Sequence, residues 1–427
     1  MVAPVQLLEQ AGRGEALDDA DWGVLTSAWL DGAATDAQMS AALARASVSG
    51  LTGSAQREMI EEIVSRGERL ELSPLGASCT IVGGAVGDAL ELVAPPLAAA
   101  LGLRSCNVVV RGRDGVLGGF DKLEPLFGIR LLMPAAGVAE QVRDGGVAVV
   151  APGGRFGAGS AQIEGLIEQT GLGLAPAVAG PALAARFLLS GAAYVSVSLT
   201  HGAGGLLDGL EAADQVRRLL EEVASDWDRT IQVEIEDASA PIGLTIGSSL
   251  ELASAGAVIS GGGDDGLRER AVRCVAGIVE AAQIEAEGAG RAAAEAALDD
   301  GRALAAAERW LEGQGADPAV WTDPARLPEA PHRQELVAPS DGVLERVDAG
   351  SLGEVARWVG AGRLHPSQSI DPVAGVEMFM REGMTVRQGE PLAVVHSRDP
   401  SQAKEGARQL GAAFIVRSDR NPGPAVA

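Results

Sequence analysis

The sequence predicts an α/β protein: a small discontinuous helical domain, a larger α/β domain on a mainly parallel sheet, and a β-rich α+β domain at the C-terminus. Three observations carry this expectation. Helix-spaced apolar residues fill the first 70 positions. From Cys79 onward short apolar runs alternate with longer helical stretches. Beyond residue 330, short strands separated by Gly and Pro turns take over.

The elements follow in order. "DDADWGVLTSAWLDGAATDAQMSAALARASVSGLTGSAQREMIEEIVSRGERL" carries apolar residues at three- and four-residue spacing, with Asp and Thr before each apolar run where caps belong. The runs "NVVV" (107–110), "VAVVAP" (147–152), "YVSVSL" (194–199) and "IQVEIE" (231–236) read as strands. The helical stretch between the second and third of these is expected to return to the N-terminal helices. Residues 272–311, rich in Ala and Glu, read as scaffold helices on the back of the sheet. The expected division is 1–70 with about 161–192 for the helical domain, 71–160 with 193–330 for the α/β domain, and 331–427 for the C-terminal domain.

A chain of 427 residues exceeds what one core usually supports, so two or three domains are expected. An apolar fraction of 47% and 57 glycines indicate a compact protein rich in tight turns. No long uncharged apolar run is present and the N-terminus has no basic start leading into an apolar stretch, which predicts a cytoplasmic protein without membrane contact. The net charge of −24 opposes binding to nucleic acid or anionic membrane, both of which need a positive footprint. Cys79, Cys106 and Cys274 lack the paired spacing of a zinc site or a disulfide framework, so buried free thiols are expected. Only Lys122 and Lys404 are lysines among 34 basic residues.

Five stretches, in one order and with compatible spacing, carry a resemblance: "LDGAATDAQMSAAL" (30–43), "GGAVGDALELVAPPLAAALG" (83–102), "LGGFDKLEPLFG" (117–128), "APIGLTIGSSLEL" (240–252) and "GEPLAVVHSRD" (389–399). They resemble the pyrimidine nucleoside phosphorylases, the thymidine phosphorylase group, through nearly the whole chain. The resemblance implies a helical domain and an α/β domain flanking a cleft that closes by hinge motion, a homodimer formed through the helices, and a nucleoside-like small-molecule substrate. It calls for no metal and no organic cofactor. The family's reaction exchanges the base on C1′ of a nucleoside for phosphate, so its site holds an anion on one side of the sugar and stabilises a departing base on the other.

Against the family pattern this chain lacks most of the required groups. The family loop Lys-His-Ser-Thr-Gly-Gly-Val-Gly-Asp becomes Thr80, Ile81, Val82 and Gly83 at its first four positions, ending on Asp88. Glu91 stands where the family has a phosphate-binding serine, and a carboxylate repels a phosphate dianion. In the next loop the two phosphate-contacting hydroxyl positions fall at about Val109 and Gly119, while Arg111, Asp121 and Lys122 remain. The base-contacting arginine, serine and lysine align near Ile167, Ala182 and Arg186, and Ser198 and Thr200 replace an acid and a lysine beside an added His201.

The candidate catalytic residues are therefore His201, Glu91 and Asp88, and the candidate substrate-binding residues are Thr80, Arg111, Asp121, Lys122, Arg186 and Gln162. Each has a structural reading beside the functional one. Asp88 caps the following helix, Glu91 complements its dipole, and Asp121-Lys122 fixes a helix entry. Arg111, together with Arg113, either binds an anion or pairs with Asp114 or Asp121. His201, at a glycine turn after a strand, suits proton transfer near neutral pH, whereas lone histidines are more often structural. His332, His365 and His396 read as surface or packing residues. The glycine-rich "APGGRFGAGSAQIE" (151–164) reads as a hinge, with Ser160 and Gln162 able to reach a ligand.

Two functions compete at this level. One is a pentosyltransferase-type enzyme acting on the glycosidic bond of a pyrimidine nucleoside or related sugar-heterocycle, diverged from phosphorolysis; its Ala/Arg-rich, lysine-poor composition suits specialised metabolism in a high-GC bacterium. The other is a catalytically inactive relative that binds a nucleoside-like ligand or a partner.

Overall fold

The structure, a computed structural model, describes residues 4–13, 15–112, 116–365 and 367–417. Four helices open the chain: α1 (Pro4–Arg13), α2 (Asp19–Leu30), α3 (Asp36–Ser49) and α4 (Gly53–Ser65). Their starts are set by side chains that satisfy orphan amides. Thr35 accepts from the Gln38 amide at 3.3 Å while Gln38 reaches back to the Thr35 amide at 2.9 Å, and Thr52 accepts from the Ala55 amide at 3.0 Å.

Five parallel strands follow: β1 (Ser78–Val82), β2 (Arg104–Val108), β3 (Val147–Val150), β4 (Tyr194–His201) and β5 (Thr230–Asp237). They lie in the order β3-β2-β1-β4-β5. β1 and β3 are buried throughout, as expected for a parallel sheet covered on both faces. The connecting helices are α5 (Leu90–Ala100), α6 (Gly119–Leu123), α7 (Ala135–Gly145), α8 (Ala158–Thr170), α9 (Pro176–Leu189), α10 (Leu210–Asp226), α11 (Ser248–Ile259), α12 (Asp265–Ala281), α13 (Gly290–Asp299) and α14 (Arg302–Gln314).

One sheet face presents Ile81, Val147 and Val149 to a core shared with α5 and α11 to α14, including Trp310. The other presents Val195, Val197 and Leu199 to α9 and α10. Ile163, Leu166 and Ile167 of α8 and Ala177 and Val178 of α9 pack instead with Trp29, Met39 and Met59 of the opening helices. The sheet and the helical layer thus meet along α9, whose Leu183 and Phe187 face the sheet while Ala182 and Ala185 face the opening helices, and α8 lies beside it. β2 ends two residues before the run 107–110 does: Val109 still donates to the Val150 carbonyl at 2.8 Å, and the chain then leaves the sheet toward α6.

The C-terminal part holds two antiparallel sheets. The strands are β6 (Thr245–Ile246), β7 (His332–Val337), β8 (Gly342–Val347), β9 (Gly375–Met378), β10 (Thr385–Val386), β11 (Pro391–Ser397) and β12 (Phe414–Arg417), with α15 (Ala349–Ala356) and α16 (Pro400–Leu410) packed on them. One sheet runs β10-β8-β12 and the other β6-β9-β11-β7. β6 differs from the sequence reading. It comes from the stretch assigned to the α/β part, yet Thr245 and Ile246 pair with Glu377 and Val376 of β9. Two residues carry no readable alternation, and it is the burial of Ile246 in the C-terminal core that draws them there.

Candidate active site

The turn from β1 into α5 is a close-packed glycine corner. Gly87 has φ +75°, and a Cβ there would meet the Thr245 carbonyl oxygen at 3.1 Å, so no larger residue fits without strain. The amide of Gly83 faces a carboxylate of the same chain: it donates to Glu91 Oε1 at 3.3 Å. The same oxygen accepts from Arg186 Nη2 at 2.8 Å, and Arg186 Nε donates to the Val108 carbonyl at 3.0 Å. Glu91 and Arg186 are only 6% and 5% exposed. Space is tight on the far side too, since a Cβ on Gly119 would fall 2.8 Å from Glu91 Oε2.

Asp88 lies one turn away in a second ion-pair chain. Its Oδ1 accepts from the Leu90 amide at 2.9 Å, which satisfies the start of α5, and from Arg270 Nη1 at 2.7 Å. Arg270 also donates to Glu236 at 2.7 Å and to the Ser198 hydroxyl at 2.8 Å. Lys122 donates to the Asp88 carbonyl and stands 3.1 Å from Glu251. Burial raises the Asp88 carboxyl, but Arg270 and then Lys122 outweigh it and hold the group below its ordinary value. Burial pushes Glu251 up to about 7, against the pull of Lys122 and the Gly247 amide. Lys122 stays charged: burial would lower it, yet Glu251, Asp88 and Glu91 together hold it above its ordinary value.

The loop after β2 is fastened by Asp121. One carboxylate oxygen accepts from the Gly112 amide and, at 3.2 Å, from the Gly118 amide. The other is 2.7 Å from Arg363 Nη2 and 3.8 Å from Arg111 Nη1. Asp121 and Lys122 therefore do not pair with one another; each serves a different neighbour. The Arg111 guanidinium lies 4.2 Å from the centre of the Phe120 ring and 3.6 Å from Glu124. Arg113 and Asp114 lie outside the described residues.

Beside this loop, between the ends of β2 and β3 and helix α8, lies a cavity of about 200 Å³. Arg111, Phe120, Leu132, Pro152, Glu164 and Glu168 are among its lining. The remaining sequence candidates stand apart from it. Thr80 is buried on β1 with an unpartnered hydroxyl. Gln162 points to the opening helices, donating to the Trp29 carbonyl at 3.2 Å. His201 ends β4 opposite Asp237 of β5, with β1 between it and β2, about 10 Å across the sheet. The loop 151–157 is pinned: Phe156 is fully buried, and the Glu68 amide and carbonyl bond to Arg155 and Gly157. The three cysteines are free and buried, and burial pushes Cys79 and Cys274 up to about 12, which leaves neither as a thiolate at neutral pH.

Arg270, Glu236, Glu251, Arg363, Glu164 and Glu168 belong to this region and were not singled out from sequence. Arg270 alone left a trace. It sits in the apolar stripe Leu267, Ala271, Cys274, Ile278 of α12, where a cation needs a buried partner. The others look like solvated charges in sequence.

Ligand-sized space at the carboxyl ends of the strands of a parallel α/β sheet is the place where open sheets of this kind hold their ligands. A solved anthranilate phosphoribosyltransferase from Thermus thermophilus shares this fold with a TM-score of 0.58 at 16% identity, over 72% of this chain and 98% of that one. Residues 343–416 match the family model for the pyrimidine nucleoside phosphorylase C-terminal domain. The pyrimidine-nucleoside phosphorylase of Geobacillus stearothermophilus is 27% identical over 399 residues, 92% of each chain. The thymidine phosphorylase of Mycobacterium tuberculosis is 27% identical over 418 residues, 97% of this chain and 95% of that one. The chain resembles the pyrimidine nucleoside phosphorylase family from its opening helices through its C-terminal sheets.

Proposed function

We propose that this chain acts on the glycosidic bond of a nucleoside-like compound without using free phosphate. The observation that carries the reading is the Glu91 carboxylate on the Gly83 amide, paired with Arg186. By the resemblance, Glu91 stands at a phosphate-binding position and Arg186 near a base-contacting one. An internal anion thus takes the place of the nucleophilic anion, and a phosphate dianion beside it would be repelled in a site of low dielectric. Water is then the acceptor: the bond from C1′ to the base breaks, a C1′–oxygen bond to water forms to give the free pentose, and the water's proton ends on the departing base. In between, positive charge grows on the sugar and negative charge on the base. A carboxylate on the sugar side and a guanidinium on the base side oppose both. Ligand entry has to part the pair, so separation of α5, which carries Glu91, from α9, which carries Arg186, belongs to the reaction.

The test is incubation of the protein with uridine, thymidine and deoxyuridine in phosphate-free buffer, with free base followed by chromatography. Base release is expected without phosphate, and Glu91→Gln is expected to lower it about a hundredfold, the usual loss of one preorganised electrostatic group. An unchanged rate in Glu91→Gln would contradict the role given to that carboxylate.

A second reading, a ligand-binding protein without catalysis, is favoured by one observation: Glu91, Asp88, Lys122 and Arg186 are all neutralised by partners inside the protein. Nucleoside binding with no base release under any condition would select it. Cytoplasmic location and self-association through the opening helices, where Val5 and Val48 are 58% and 91% exposed, belong to both readings. Light scattering is expected to give twice the 43.4 kDa chain mass, and a monomer would refute the association.

A further inference from the structure

We propose that the cavity against α8 selects a ring bearing an amino group, of the cytosine type, over a ring bearing a carbonyl at the same position. The inference rests on the reading that the chain binds a nucleoside-like compound, and it names the chemistry of the base. The walls are of two kinds. Phe120 with Arg111 on its ring, together with Leu132 and Pro152, offers flat and apolar surface suited to one heterocycle in about 200 Å³. The polar groups on the opposite wall are carboxylates: Glu164 and Glu168 sit four residues apart on α8, so both project to the same side.

Their chemistry decides the preference. An ionised carboxylate only accepts hydrogen bonds, and with about four lone-pair sites on its two oxygens it accepts from a ligand even while bonded elsewhere. Glu168 illustrates this, with Oε1 3.9 Å from Arg363 Nε, a contact that leaves its second oxygen for other donors. The cation that lines the cavity, Arg111, lies over the Phe120 ring and is drawn toward Asp121 and Glu124 of the α6 side at 3.8 and 3.6 Å, so its charge sits on the wall away from the two carboxylates of α8. Between the two carboxylates lies Ile167, which adds apolar surface and no donor. A ring carbonyl would thus face acceptors, whereas an exocyclic amine would face partners. Cytidine carries an amine with two N–H donors at C4 and an acceptor at N3, whereas uridine carries a carbonyl at C4 and a single N–H at N3. Cytidine therefore offers the two carboxylates one donor more, and the pair are the probes of choice.

The experiment is isothermal titration of the full-length protein with cytidine and with uridine, repeated in Glu164→Gln and Glu168→Gln. Cytidine is expected to bind at least about tenfold more tightly than uridine, the scale of one donor–acceptor mismatch in a desolvated site. The ratio is expected to fall toward one in each variant, and because it is a ratio it is insensitive to partial loss of folded protein. Uridine binding as tightly as cytidine, or a ratio untouched by both variants, overturns the inference. If the two nucleosides bind equally while base release occurs, only the ring preference fails. If neither nucleoside binds and no base is released, the parent reading fails with it.

Discussion

The glycine corner between β1 and α5 and the cavity against α8 lie at the same end of the same sheet, but they treat charge in opposite ways. At the corner every charged group is answered from within: Glu91 by Arg186, Asp88 by Arg270, Glu251 by Lys122. At the cavity Arg111, Glu164 and Glu168 are half-exposed, and the ion pairs of Arg111 and Glu168 are looser, at 3.6–3.9 Å. The corner is where the resemblance expects an exogenous anion, and its place is taken by side chains. On the function proposed above, the difference means that the scaffold is kept while its anion seat is filled from within, leaving the base end as the part open to a ligand.

The largest effect should come from breaking the corner. Arg186→Ala leaves the Glu91 carboxylate buried without its cation, and a loss of about 3–5 kcal/mol is expected by denaturant titration. Replacing both partners together, Glu91→Leu with Arg186→Met, should recover most of that loss, because the cost lies in the unpaired charge. If the single variant is as stable as the parent, the pair is not the closed unit described above.

A smaller effect sharpens the same contrast through pH. Glu251 moves from an ordinary value of 4.5 to about 7 in the folded protein. Its proton is therefore held more tightly folded than unfolded, and in that interval the folded state binds more protons. The resulting stabilisation is complete below about pH 4.5 and is lost as pH rises through about 7. Denaturant midpoints measured from pH 5 to 8 should fall with rising pH, and Glu251→Gln should flatten that slope. A slope identical in the variant would assign it to another group.

Much of this architecture is written in local pattern. Capped helices at the start, buried strands from Cys79 onward and the β-rich end each follow from periodicity and turn residues. β6 escapes such reading because two residues have no period. The site divides along the same line. Glu91, Asp88 and Arg186 stand out individually, since residue type at a glycine corner is a local signal. Their pairings do not, because Arg186 is 95 residues from Glu91 and Arg270 is 182 from Asp88. Glu164 and Glu168 read as a solvated helix edge until α8 is seen to face the sheet across a cavity. His201 illustrates the reverse case: its glycine turn is a sound local signal, but the strand order sets it beyond β1 from the cavity.

The claim that the anion seat is filled from within is tested most directly by the dependence of base release from uridine on inorganic phosphate. The account predicts a rate that is the same at zero and at millimolar phosphate. A rate that vanishes without phosphate and rises to saturation as phosphate is added, with a pentose 1-phosphate as the second product, would contradict it.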